Sequence, residues 1–312
     1  MTVFAMTFPG QGSQSVGMLS GLAESFGEVR HTFEEASDAL GTDLWALSQD
    51  GPAEDLNRTQ NTQPAMLSAG IAVWRVWNAQ GGAAPALMAG HSLGEYSAMV
   101  ASGVIEFSDA VRLVAQRGRL MQEAVPEGVG AMAAILGLAD DKVIEICAAA
   151  AQAEVASAVN FNSPGQVVIA GNADAIARAV ELAKEAGAKR ALPLDVSVPS
   201  HCSLMEGAAA KLYAQMSSMD FSAPQVPVIQ NVNVAASEDS DAIKSLLKEQ
   251  LHSPVRWVET VQAMTAQGTD TIIEAGPGKV LSGLCKRIDR SLTALPVFDG
   301  ASLEKALEAI NG

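Results

Sequence analysis

A serine held between two glycines is the first residue in this chain with the setting for covalent chemistry. Gly90-His91-Ser92-Leu93-Gly94 matches G-x-S-x-G, the sharp strand-to-helix turn that stands a serine Oγ clear of a sheet's end. A short apolar run at 86–89 precedes it and a helical pattern at 95–101 follows, which is the context such a turn requires. The Leu93 N–H would then open a helix and point at any oxyanion formed beside Ser92. Outside that context the pentapeptide is a glycine turn with an incidental serine. Within it, Ser92 is the expected nucleophile.

A serine hydroxyl needs a base, and the chain holds four histidines. His31 lies in an acidic stretch and reads as solvated. His91 adjoins the serine, but neighbours on a sharp turn point apart, which suits it to packing or polar support. His252 precedes Ser253-Pro254 and reads as a helix-entry residue. His201 sits in the irregular stretch Val198-Pro199-Ser200-His201-Cys202, and loops carry catalytic groups more often than helix faces do. Elimination selects His201 as the base. Its orienting partner stays open between the Asp195 carboxylate and a backbone carbonyl, since either can take an Nδ1–H.

Residues 109–123 read as one helix with Asp109 as its cap. Val114, Arg117, Gly118 and Met121 share one face, so Arg117 lies on an apolar stripe while Arg112 and Arg119 lie off it. A buried guanidinium without a carboxylate is costly. Arg117 is then either half of a structural ion pair with an internal Glu or the waiting partner of a substrate carboxylate. Its planar fork would bind such a group in bidentate fashion.

The elements that must hold these residues alternate. Apolar runs at 3–8, 86–89, 226–232 and 271–274 read as strands, with helical patterns between them, one opened by Gln63-Pro64 and another over 254–266. Such βα alternation predicts a parallel sheet with helices on both faces. The stretch 131–194 differs: strand 131–136, helix 140–151, strand 155–161, a turn at Asn162-Ser163-Pro164-Gly165, strand 166–170, helix 173–186 and strand 190–194. That order is β-α-β-β-α-β, the ferredoxin-like arrangement. The expected fold class is therefore α/β, with an α/β-hydrolase-like large domain of residues 1–126 and 197–312 and a ferredoxin-like insert of residues 127–196. Asn160 and Asn162 could reach a substrate from the insert, but beside Pro164 they read first as turn builders.

Composition bounds the rest. The 312 residues are 48% hydrophobic and 18% charged, with a formal net charge of −15, which fits a well-cored chain rather than a disordered one. An acidic chain with no basic stripe argues against nucleic acid as a partner. Cys147, Cys202 and Cys285 are far apart, and no two histidines or cysteines have ligand spacing, so neither a disulfide framework nor a structural metal is expected. Gly10-Gln11-Gly12 and Gly276-Pro277-Gly278 both fail G-x-G-x-x-G, and no phosphate-binding G-x-x-x-x-G-K-[ST] is present. The apolar start runs into Pro9-Gly10 with no basic leader, and no apolar stretch is long enough to span a bilayer. The expectation is a cytoplasmic protein without a membrane partner.

Seven segments carry a family resemblance: Pro9-Gly10-Gln11-Gly12-Ser13-Gln14, Gln63-Pro64-Ala65, Gly90 to Tyr96, Gln116-Arg117-Gly118, Asn160 to Pro164, Pro199-Ser200-His201 and Glu274 to Gly278. In that order the chain resembles, over essentially its whole length, the malonyl-CoA:acyl carrier protein transacylases of bacterial type II fatty acid synthesis. The resemblance implies an α/β-hydrolase-like domain with a ferredoxin-like insert. It also implies a ping-pong transfer through a malonyl ester of Ser92, with His201 as the base in both halves. It places the histidine's partner at the backbone carbonyl of Gln250, the oxyanion donors at the N–H groups of Gln11 and Leu93, and the malonyl carboxylate at Arg117. It implies no cofactor.

The partners so implied are malonyl-CoA and, transiently, an acyl carrier protein, met by a monomer. Acyl carrier proteins are acidic, so a local basic patch must attract one against the overall field. Lys189 and Arg190, with Lys279, Lys286, Arg287 and Arg290, are the candidates, although charge clusters usually form ordinary solvated faces. A serine hydrolase or thioesterase would use the same elbow, and would release free acid where a transferase holds its acyl-serine for a thiol.

Overall fold

Phe4–Phe8, buried at every residue, forms strand β1, and a strand apolar on both faces belongs inside a parallel sheet. The structure, a computed structural model, describes residues 3–126, 128–194, 196 and 198–312. After β1 come α1 (Ser20–Ser25), α2 (Gly27–Leu40), α3 (Leu44–Asp50), α4 (Ala53–Leu56), α5 (Thr59–Ala79), β2 (Leu87–Gly90), α6 (Leu93–Ala101) and α7 (Phe107–Ala124). The next stretch holds β3 (Gly130–Leu136), α8 (Asp140–Ala151), β4 (Ala156–Ser163), β5 (Gln166–Asn172), α9 (Ala173–Glu185) and β6 (Arg190–Pro193). The chain then continues through α10 (Glu206–Met216), β7 (Val228–Ile229), α11 (Ser240–Gln250), α12 (Trp257–Ala266), β8 (Thr271–Ala275), α13 (Val280–Ile288), β9 (Thr293–Val297) and α14 (Gly300–Asn311).

The first sheet is parallel, in the order β7-β2-β1-β8-β9. Alternate residues of β1 enter different cores. Phe4, Met6 and Phe8 join the larger cluster with Leu67, Val73 and Val114, whereas Ala5 joins Ala89, Trp257, Val261 and Leu284. Helices therefore cover both faces, as the βα alternation predicts. The open ends of β1 and β2 lie side by side, since Phe8 pairs with Gly90. In parallel α/β sheets, ligands bind beyond these carboxyl ends.

The second sheet is antiparallel, in the order β4-β5-β3-β6, with its own core around Ile135, Val143, Val167, Ile169 and Ile176. Its β-α-β-β-α-β order agrees with the sequence reading. Strand β4 is irregular: its register against β5 shifts between Ala158 and Asn160 and again between Phe161 and Ser163. Such shifts re-aim side chains, and β4 holds both Asn160, inside the strand read over 155–161, and Asn162, which was expected in the turn after it. The Phe161 N–H donates to Val255 O (3.0 Å) and the Val255 N–H donates to Val159 O (2.8 Å), which stitches the small sheet to the segment entering α12.

Three local expectations change. α5 begins at Thr59, so Pro64 is inside the helix rather than at its opening. α7 begins at Phe107, and Asp109 lies in its first turn, bonded to Arg112 at 2.6 Å, rather than capping it. Helices α10, α11, α13 and α14 and strand β9 fall in stretches where no element was expected. The domain boundaries at Glu127 and Ser197, and the candidate Asp195, lie outside the described residues.

Candidate active site

Ser92 is the N-cap of α6, with φ 51° and ψ −108°, a conformation that only a tight elbow imposes on a non-glycine residue. The two flanking glycines are what permit it. A Cβ on Gly90 would stand 1.8 Å from the Gly94 carbonyl carbon, and one on Gly94 would stand 2.0 Å from the Phe8 oxygen. The elbow is pinned from outside as well. The Ser92 N–H donates to Asn231 Oδ1 at 2.8 Å, and the Ser92 carbonyl accepts from Gln250 Nε2 at 2.9 Å. Asn231 in turn donates from Nδ2 to the Gly90 carbonyl at 2.7 Å.

His201 and Ser92, 109 residues apart, meet with Nε2 2.7 Å from Oγ, within proton-transfer reach. The other ring nitrogen, Nδ1, is 2.7 Å from the Gln250 carbonyl. Gln250 is the last residue of α11, where the final carbonyls have no helical partner and carry the negative end of the helix dipole. That oxygen fixes the tautomer with Nε2 free to accept a proton. Burial, and then the Arg117 charge, push the His201 imidazole down to about 3. It is therefore neutral at physiological pH, which a base requires.

Arg117 is fully buried on α7. Its Nη1 donates to Gln63 Oε1 (2.8 Å), and its Nη2 donates to Gln250 Oε1 (3.1 Å) and to Ser92 Oγ (3.4 Å). The guanidinium also lies over the Tyr96 ring, 5.4 Å from its centroid. Its contacts are thus two amides, a hydroxyl and a π face instead of the internal carboxylate that a structural ion pair would need. Nε has no hydrogen-bond partner among the described residues. Gly118 gives this helix its close approach to α5, since a Cβ there would be 2.6 Å from Thr59 O and Gln60 Cα. Burial lowers the Arg117 pKa, against the charges of Tyr96 and Glu95.

A cleft of about 420 Å³ opens onto this centre, with Gln11, Ser92, Met132, Asn160, Leu194 and His201 in its lining. Gln11 arrives from the loop after β1. A Cβ on the preceding Gly10 would stand 2.5 Å from the His91 carbonyl oxygen, so only glycine lets the two loops lie together. The Gln11 side chain begins a relay, with Thr59 Oγ1 donating to its Oε1 (2.9 Å) and Gln63 Nε2 donating to Thr59 Oγ1 (3.1 Å). Leu93 is the first residue of α6, so its N–H faces out of the helix beside Ser92. Across the cleft, His91 Nε2 is 2.8 Å from Asn162 Oδ1 and its ring lies 5.6 Å from Trp257, the polar support its position suggests. Asn160 Oδ1 is buried with no partner among the described residues.

The structure brings Ser92, His201, Gln250, Arg117, Leu93 and Gln11 to one site. Lys189, Arg190, Lys286 and Arg287 lie elsewhere, exposed at one end of the small sheet. Leu136 pairs with both Gln166 and Arg190, and Arg287 Nη1 donates to Gln166 Oε1 at 2.8 Å. Sequence reasoning gave no role to Gln63, Glu95, Asn231 or the Gln250 side chain. The one signal for Glu95 is its place as a lone acid in the apolar stretch Leu93–Ala101. Among the described residues, no three His, Cys, Asp or Glu side chains are grouped to hold a metal ion, and no helix is long and apolar enough to cross a membrane.

Residues 5–297 match the family described as the acyl transferase domain. The chain belongs to that family. This acyl transferase is 59% identical over 308 residues to the malonyl CoA-acyl carrier protein transacylase of Escherichia coli K12, covering 99% of this chain and all of that one. It superposes on the solved structure of the malonyl CoA-acyl carrier protein transacylase of Coxiella burnetii with a TM-score of 0.99 at 47% identity, covering 100% and 98% of the two chains. It also superposes, with a TM-score of 0.98 at 57% identity over 99% and 100% of the chains, on a malonyl-transacylase solved in complex with its type II polyketide synthase acyl carrier protein.

Proposed function

We infer that this acyl transferase moves the malonyl group of malonyl-CoA to the phosphopantetheine thiol of acyl carrier protein, supplying fatty acid synthesis. The observation that carries the reading is a serine–histidine dyad at 2.7 Å with a buried guanidinium, unpaired with any carboxylate among the described residues, 3.4 Å from the same hydroxyl. An elbow serine alone suits any acyl group. A buried cation beside it suits an acyl group that carries its own anion.

In the first half-reaction Ser92 Oγ attacks the thioester carbonyl as its proton passes to His201 Nε2. The Gln11 and Leu93 N–H groups stabilise the tetrahedral oxyanion, each such donor contributing about 3–4 kcal/mol in comparable sites. Collapse breaks the C–S bond, and the departing thiolate takes the proton from His201, leaving free CoA and malonyl-Ser92. In the second half the carrier's thiol gives its proton to His201 and attacks the ester, and Ser92 leaves with that proton. The Gln250 carbonyl holds the imidazole throughout. A malonyl carboxylate paired with Arg117 offsets the charge that, after burial, depresses His201.

The basic residues at the end of the small sheet form the carrier-docking surface. They lie about 13 Å along β3 from cleft-lining Met132, at roughly 3.3 Å per strand residue. The reading includes a catalytic domain of residues 1–126 and 197–312, an insert of residues 127–196, and a cytoplasmic monomer, whose mass sedimentation at assay concentration would measure. The deciding experiment supplies labelled malonyl-CoA with holo carrier protein. Label on the carrier's thiol supports transfer, and label released as free malonate at the same rate supports a thioesterase instead.

A further inference from the structure

Beneath the dyad lies a buried carboxylate that the transfer chemistry does not consume. Glu95 is fully buried, in the first turn of α6. Its Oε2 accepts from the Asn231 N–H at 3.0 Å and from Gln250 Nε2 at 2.9 Å, and its Oε1 is 3.5 Å from Gln230 Nε2. These donors are all neutral, so the group is not half of an ion pair. Both residues held on Oε2 are the ones that hold the site: Asn231 grips the Ser92 N–H and the Gly90 carbonyl, while Gln250 grips the Ser92 carbonyl, His201 Nδ1 and Arg117 Nη2.

We propose that Glu95 is a positioning residue, whose carboxylate sets the relative placement of Ser92, His201 and Arg117 through Asn231 and Gln250. The proposal rests on the malonyl-transfer reading of the same site. The Gln250 amide shows why an acceptor is needed at this point. With Oε2 of Glu95 drawing its NH2 group one way, its oxygen must face Arg117. Without that acceptor the NH2 group keeps only its bond to the Ser92 carbonyl, and an amide that turned over would present N–H groups to a guanidinium that can only donate. Asn231 and Gln250 also grip both peptide groups of Ser92, which helps to hold its left-handed backbone.

Three substitutions separate position from charge and from simple stability. In Glu95→Gln the new oxygen takes the place of Oε2. The new NH2 faces Gln230, whose Oε1 has no partner among the described residues and can turn to accept. Burial already raises Glu95 to about 7, so an uncharged group is tolerated there. Glu95→Asp keeps the carboxyl but withdraws it by one methylene, about 1.5 Å, and misplacement of that order costs roughly 100-fold in rate. Glu95→Ala removes the acceptor.

Serine acylation is followed with malonyl-CoA and, separately, with a neutral serine-directed organophosphate, alongside thermal melts. The expected order of rates is wild type, then Gln within about fivefold, then Asp and Ala about 100-fold down, with both reagents. A folded Asp or Ala variant that acylates like wild type overturns the proposal, and so does a Gln variant as slow as Ala. If Ala fails to fold, the order of Gln and Asp decides. If wild type takes no malonyl, the transfer reading falls, and the organophosphate order alone upholds or overturns the role of Glu95.

Discussion

Replacing Arg117 by Ala should invert the preference for charged over neutral acyl groups. The guanidinium has an unbonded Nε and two Nη donors held by neutral acceptors, so a malonyl carboxylate can gain two charge-assisted hydrogen bonds. At about 1.5–3 kcal/mol each, their loss removes about 3–6 kcal/mol of transition-state stabilisation, or about 10²–10⁴ in kcat/KM for malonyl-CoA. Acetyl-CoA makes no such contact. For it the change works the other way, because the Arg117 charge is the second cause, after burial, of the low His201 pKa. With that charge gone the imidazole becomes more basic, and the acid limb of acetyl transfer moves to higher pH. The assay is kcat/KM for both CoA esters with one carrier protein, between pH 4 and pH 9. An unchanged malonyl-to-acetyl ratio would refute the reasoning. So would an equal fall for both esters in a variant whose melting temperature has collapsed, since that would make Arg117 a packing residue.

His201 titrates near 3 when folded against an ordinary 6.5. Its contribution to stability is therefore present above pH 6.5 and is lost as pH falls from there toward 3. His201→Asn should flatten that part of a Tm-against-pH curve, and an unaltered acid slope would contradict it. Glu95 runs the other way, because its folded value of about 7 lies above the ordinary 4.5. Stability it supplies below pH 4.5 is lost as pH rises through 7, and Glu95→Gln should abolish that loss in the same melts. Gly94→Ala drives a methyl into the Phe8 carbonyl and should cost about 3 kcal/mol in urea unfolding, the upper end for overpacking; a neutral result would mean the elbow is looser than described. Reversing the charges of Lys286 and Arg287 should raise KM for carrier protein and leave serine acylation by malonyl-CoA unaltered, and an unchanged carrier KM would move the docking surface elsewhere.

What could be read from the residues follows their physical signatures. Continuous apolar runs, the paired glycines around Ser92 and the stripe bearing Arg117 are side-chain patterns, and each marks an element, although the run at 226–232 is a strand only at Val228–Ile229 and the helix bearing Arg117 starts at Phe107. The partner of His201 is a main-chain carbonyl at the end of α11. A backbone acceptor leaves no residue type to recognise, so composition alone could not choose between it and Asp195. Asn160 and Asn162 read first as turn builders, and only second as substrate contacts, because Pro164-Gly165 dominates the local signal. β4 instead runs through both, with two register shifts invisible to a period-2 pattern, so that Asn160 lines the cleft and Asn162 meets His91. Glu95, Asn231 and Gln63 matter through bonds to residues 54 to 155 positions away in the chain. Such long-range pairings emerge only once the sheets are assembled.

The central claim is that Ser92 Oγ carries the acyl group and that His201 takes its proton. Intact-mass and peptide mass spectrometry after malonyl-CoA is added, with carrier protein withheld, tests it most directly. The account predicts a single malonyl group on the Ser92 peptide, formed slowly in His201→Ala and never in Ser92→Ala. A malonyl group on any other residue, or its persistence in Ser92→Ala, would contradict it.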